Sequence, residues 1–203
     1  DPGSPQTDVP VGKQRVLIAP SWGEHALLES CGVSLIQVLS EADYHVTVRP
    51  HPMTIKSNSK LIGELNRRFG AHPRVEFEFD VASKETLHAS DILVSDWSGV
   101  ALEFAFGLER PVLFIDVPPK SNNPNWREIP IEPFEASVRS KLGAIVSPDN
   151  LKAVPSLIES LCADPDGFVS QARNLRKTHI YNVGTSGVVS AEYIASLVGD
   201  QSG

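Results

Sequence analysis

Four segments carry residue types that could do chemistry, and each adjoins an apolar run. The first, Pro20-Ser21-Trp22-Gly23-Glu24-His25, is a polar loop with one glycine that opens a helical pattern. Such a loop can offer backbone N–H groups to an anion at a helix N-terminus. Its candidate contacts are Trp22, Gly23 and His25, although His25 could equally sit in a solvated first turn. The second segment is Arg49-Pro50-His51-Pro52. Two prolines fix the backbone around His51, so the imidazole is held ready to donate to a phosphate or move a proton. Arg49 would add a permanent positive charge. A histidine here could instead cap neighbouring backbone. The third, Ser95-Asp96-Trp97-Ser98-Gly99, runs into Val100-Ala-Leu-Glu103. Ser98 is a good N-cap and Gly99 allows close approach to the backbone, so hydroxyls and the first helix amides would cradle an anion without a lysine. Glu103, alone in an apolar helix, needs a partner. Sugar hydroxyls are one choice, Arg110 or Arg49 the other. Asp96 is expected to tie down its loop, not to act as a base. The fourth, Asn182-Val-Gly184-Thr185-Ser186-Gly187, opens the last helix and is either a second phosphate cradle or an ordinary capped start.

The elements that must position these groups alternate. Apolar runs at 15–19, 44–48, 91–94, 111–115 and 143–146, with a weaker one at 75–79, predict strands buried on both faces. Helical spacing covers 27–41, 61–69, 84–89, 99–108, 151–161, 167–178 and 188–198. Strand and helix alternate throughout, which predicts a doubly wound parallel α/β sheet. Ligands of such sheets sit at the carboxyl ends of the strands, where the first three segments fall. Residues 117–140, with Pro118, Pro119, Pro124, Pro130 and Pro133, form a long loop, either of the kind that covers binding sites or a surface excursion with no role.

The bulk properties narrow the class. With 203 residues the chain holds one large domain, read as residues 13–199 between a linker or cut edge at 1–12 and a tail at 200–203. Asp1 in place of Met suggests a piece of something longer. The net charge of −7 argues against a nucleic-acid binder and gives no support for membrane contact through this segment. No run of about 18 apolar residues spans a bilayer. Cys31 and Cys162 are isolated and read as buried, reduced thiols of a cytoplasmic protein. The third segment lacks the flanking glycines of G-x-S-x-G, so a serine hydrolase built on Ser98 is the weakest reading. G-x-G-x-x-G and Walker loops are absent as well.

Taken in order, Pro20-x-Trp22, Arg49-Pro-His-Pro52, Ser95-Asp-Trp-Ser98, the acid at 103 and Arg110-Pro111 resemble the CDP-glycerol glycerophosphotransferases, the teichoic-acid polymerases and primases of GT-B architecture. The resemblance spans roughly residues 15–198, and the Gly184–Ser186 turn is similar to the family's Asp-Gly-x-Ser entrance to the last helix, with Asn182-Val-Gly in its place. It implies a Rossmann-like, C-terminal, donor-binding half. His51 would be the catalytic group and contact the donor diphosphate, with Arg49, Ser95, Ser98, Gly99 and Ser186 beside it, and Glu103 would take the ribose. The family's Trp-His-Gly motif is missing, and Trp97-Ser98-Gly99 stands where Tyr-Ser-Ser is usual. The general base and the acceptor site, for a glycan or polyol-phosphate, would therefore lie on an N-terminal domain outside this sequence. The donor would be CDP- or UDP-linked. No cofactor and no metal site is expected, and any membrane contact would be made through another domain. A non-catalytic nucleotide or sugar-phosphate sensor is the alternative.

Overall fold

Arg15-Val-Leu-Ile18 is a continuous apolar run bounded by polar loops, and it forms β1, the centre of the sheet. The computed structural model describes residues 13–80, 83–119, 123 and 125–199. The segments read as linker (1–12) and tail (200–203), and Asn122 and Pro124 of the long loop, lie outside the described residues.

The chain continues through α1 (Leu27–Glu41), β2 (His45–Val48), α2 (Pro52–Ser57), α3 (Ser59–Phe69) and β3 (Val75–Phe77). It then runs through α4 (Glu85–Ala89), β4 (Ile92–Ser95), α5 (Val100–Gly107) and β5 (Val112–Ile115). The 117–140 excursion carries a 3-10 turn at Trp126–Glu128 and the short α6 (Phe134–Val138). β6 (Gly143–Val146), α7 (Val154–Cys162), α8 (Pro165–His179) and α9 (Ser186–Gly199) complete it. The six strands are all parallel and lie in the order β3-β2-β1-β4-β5-β6. This is the doubly wound arrangement.

The strands bury alternate residues in two separate cores. Val16, Ile18, Val46, Val48, Ile92 and Val94 pack with α1 residues such as Leu28, Leu35 and Leu39. Leu17, Leu93, Val112 and Phe114 pack on the opposite face with Phe104 and Ala105 of α5 and Leu175 of α8. Both faces are covered, which is why these strands are apolar throughout. Gly143 lets β6 approach β5: a Cβ there would sit 1.6 Å from the Val112 carbonyl oxygen.

Local chemistry explains the departures from expectation. The prolines flanking His51 start an extra helix, α2, with Pro52 in its first turn, where a missing N–H costs nothing. The last helix, α9, is exposed along its length, including Tyr193 (65%), Ile194 (60%) and Leu197 (54%). Among the described residues no helix is long and apolar enough to cross a membrane.

Candidate functional site

The switch point of the sheet lies between β1 and β4, where the chain leaves in opposite directions and a crevice opens at the strand ends. The loops after β2, β1 and β4 are therefore neighbours, within about 10 Å across two strand spacings. Asp96, at the end of β4, fixes their arrangement. It is 1% exposed. Its Oδ1 accepts from the Ser21 N–H at 2.6 Å, and its Oδ2 accepts from Ser21 Oγ at 3.0 Å and from the Leu27 N–H at 2.9 Å. A buried carboxylate is tolerable only when so satisfied. The expected tie is present, and it runs to the loop after β1 rather than within its own loop.

This bond pattern corrects the reading of the first segment. The anion at the N-terminus of α1 is Asp96 itself, which takes the Leu27 amide where the helix dipole favours negative charge. Trp22 and His25 keep other positions: Trp22 is half-buried and His25 is exposed. Gly23 turns the chain at φ 129° and its carbonyl accepts from Ala26 N–H.

His51 caps α2. Its Nδ1 accepts from the Met53 N–H at 3.0 Å, so in the neutral ring the hydrogen resides on Nε2. The capping alternative is the one seen at Nδ1. The ring stacks on Trp22, centroid to centroid 6.0 Å at 30°, bringing the ends of β1 and β2 together.

Two expected diphosphate ligands face the interior instead. Arg49 is 8% exposed. Its Nε pairs with Glu78 Oε2 at 2.6 Å, and its Nη2 donates to Ser83 O at 2.9 Å and Thr86 Oγ1 at 2.6 Å. Its charge is spent in holding the segment after β3 against β2. Ser95 is fully buried and donates to Ala19 O at 2.7 Å, bracing β4 to β1. Arg49→Ala should destabilise the fold by about 3 kcal/mol, because it strands a mostly buried Glu78. Urea unfolding midpoints of the variant and parent measure this, and an unchanged midpoint would contradict the buried pair.

The start of α5 is open. Gly99 is exposed at φ −58°, and a Cβ built on it meets no atom within 4 Å. Ser98 does not cap the helix with its side chain, contrary to expectation; its carbonyl accepts from Ala101 N–H at 3.1 Å. The Leu102 and Glu103 amides both donate to Gly99 O, so the first turn of α5 is closed on itself and what lies open at its head is the backbone at Gly99. Glu103 is exposed one turn along. Neither arginine offered as its partner reaches it, since Arg110 donates to His88 O and Ser90 O and Arg49 is engaged as above. Ser186 is exposed at the head of α9 and makes no described hydrogen bond to the strand-end loops. No described hydrogen bond links Ser98 to a histidine, which leaves the hydrolase reading without support.

Two features escaped the sequence reading. Trp97 donates from Nε1 to Val117 O at 2.8 Å, and Arg139 lies over its ring at 4.0 Å from the centroid. Beside them a cavity of about 840 Å³ opens between Trp97 and Gly99 on one side and Pro119, Trp126, Ile131 and Glu135 of the 117–140 loop on the other. Cys31 and Cys162 are unpaired and half-buried. Burial pushes both thiols up to about 11, so neither is a nucleophile near neutral pH.

A parallel sheet in this order, with an open helix start at its switch point, defines a Rossmann-like α/β domain of the kind from which GT-B transferases are built. The chain belongs to the CDP-glycerol:poly(glycerophosphate) glycerophosphotransferase family, whose model matches residues 4–118, more than half of its length. Among solved structures, it is similar to Anabaena Alr3699/HepE in complex with UDP-glucose (TM-score 0.53, 15% identity, 90% of this chain and 49% of that one). It is also similar to the glycotransferase of kitacinnamycin (TM-score 0.52, 17% identity, 86% of this chain and 42% of that one). A third is the UDP-GlcNAc 2-epimerase from Neisseria meningitidis bound to UDP-GlcNAc (TM-score 0.50, 16% identity, 92% and 44%). The chain spans less than half the length of each. No curated protein matches it.

Proposed function

We propose that residues 13–199 are the donor-binding domain of a GT-B-type transferase that moves a glycerol-phosphate or sugar unit from a nucleoside-diphosphate donor to a cell-surface polymer or glycan. The observation that carries this reading is the exposed, unobstructed start of α5 at Gly99, held at the switch point by the Asp96 bonds. Helix amides aimed at a leaving diphosphate stabilise the charge that develops as its bond to the transferred group breaks. His51 would donate from Nε2 to the same diphosphate, and Ser98 would add a hydroxyl. Glu103, exposed one turn into α5, would accept from ribose hydroxyls. UDP or a UDP-sugar bound to structural neighbours supports a uridine donor, whereas the family name supports a cytidine one. The acceptor and the general base belong to a further domain, so this chain alone binds nucleotide without turnover. The reaction is assigned to the cytoplasm, with the further domain supplying any membrane contact.

Calorimetric titration of CDP, UDP, ADP and GDP and their monophosphates tests this. One diphosphate should bind, its monophosphate should bind more weakly, and His51→Ala and Ser98→Ala should each weaken the diphosphate about tenfold, as expected for one lost charge-assisted contact. A folded chain that binds none of the eight nucleotides defeats the reading.

A further inference from the structure

Arg139 stands out because its place is unfavourable. It is 5% exposed, and its Nε has no hydrogen-bond partner among the described residues. Its other contacts are an ion pair from Nη1 to Asp116 Oδ1 at 3.1 Å and a long bond from Nη2 to Ile115 O at 3.4 Å. An orphaned donor on a buried guanidinium is a penalty that a methionine or leucine in the same space would not carry. What an aliphatic chain cannot supply is the stack. The guanidinium lies 4.0 Å from the Trp97 centroid and 5.1 Å from that of Phe114, and cation–π attraction is strongest where water is excluded.

The stack acts on the one indole in the Ser95–Gly99 turn. Trp97 is held at its edge by Val117 O and on its face by Arg139. Asp96, the preceding residue, is held by Ser21 and Leu27. The turn that delivers Ser98 and Gly99 is thus anchored on both sides of the sheet's switch point. We propose that Arg139 is a positioning residue for the diphosphate cradle, fixing the start of α5 through the Trp97 ring without touching the ligand. This rests on the donor-site reading above.

The test titrates CDP, CMP, UDP and UMP into the parent chain and into Arg139→Met, Arg139→Lys, Trp97→Phe and the Arg139→Met/Trp97→Phe double variant, with thermal unfolding in parallel. Arg139→Met should weaken the bound diphosphate about tenfold while its monophosphate changes less than about twofold, since the α5 end is the part of the cradle that the stack holds. Arg139→Lys should recover part of the loss, because an ammonium keeps the attraction to the ring but loses the planar fork. The double variant should bind no more weakly than Arg139→Met, the signature of two groups acting through one contact. The inference is overturned if Arg139→Met binds the diphosphate like the parent, if it weakens both nucleotides alike, or if the two substitutions add. Should Arg139→Met fail to fold, Arg139→Lys decides: a diphosphate preference equal to the parent's overturns the inference. A parent chain that binds no diphosphate defeats the donor-site reading first, and this inference with it.

Discussion

Asp96→Ala should destabilise the domain on the order of 4 kcal/mol, the largest effect of any single substitution at the site. The change removes the acceptor for three donors at once, the Ser21 and Leu27 amides and the Ser21 hydroxyl. Hydrogen bonds to an ionised group contribute about 1.5–3 kcal/mol each, and donors left buried without partners lose their hydration as well. Domains of ordinary stability have only about 5–15 kcal/mol in total. Asp96→Asn keeps the shape but turns one acceptor into a donor that faces another donor, so it should lose about 2 kcal/mol. Urea denaturation of both variants reads this directly, as a lower midpoint with an unchanged slope. An Asn variant as stable as the parent would show that the carboxylate does not hold the loop after β1. In the folded Asn variant, diphosphate affinity should fall as well, because the same bonds set the spacing between the loops after β1 and β4.

Gly99→Ala should do the opposite: leave stability intact and damage binding. The residue already has helical backbone angles, φ −58° and ψ −27°, and an added Cβ meets nothing within 4 Å. Alanine there should be neutral or stabilising by about 0.5 kcal/mol, through the less flexible unfolded chain. On the donor-site reading, the new methyl group would crowd a phosphate oxygen that has to come within hydrogen-bond distance of the backbone at Gly99. Diphosphate affinity should fall about tenfold for alanine and about a hundredfold for Gly99→Leu. Paired unfolding and calorimetry experiments separate the two effects. Unchanged affinity in a stable Gly99→Leu variant would mean that the diphosphate does not use this helix start.

The contrast between these positions explains what was legible. The strands announced themselves because a sheet covered on both faces requires continuous apolar runs, and β1, β4 and β5 supply them. Their parallel course followed from the helices between them. The stiffness at His51 was written in its flanking prolines, and the openness at Gly99 in its lack of a side chain. These are local properties, decided within a few residues.

Arg49, Ser95 and Glu103 could not be sorted the same way. Arg49 and Ser95 are polar residues at or just beyond a strand end and Glu103 lies one turn into the helix that follows, and nothing local says whether such a side chain turns inward or out. Arg49 turned inward because Glu78 and Thr86, far along the chain, converge on it. Ser95 did so because the β1 carbonyl of Ala19 lies beside it. Glu103 stayed exposed although α5 buries Ala101, Phe104, Ala105 and Phe106 around it. Arg139 ends a proline-rich excursion and looks like one solvated cation among others; only folding sets it beneath Trp97. The sequence by itself therefore determined the doubly wound sheet, the strand-end location of the candidate site and the rigid or open backbone at His51 and Gly99. Tertiary structure alone decided which polar side chains became braces and which stayed exposed, because partners 29 to 76 residues apart leave no mark in any local pattern.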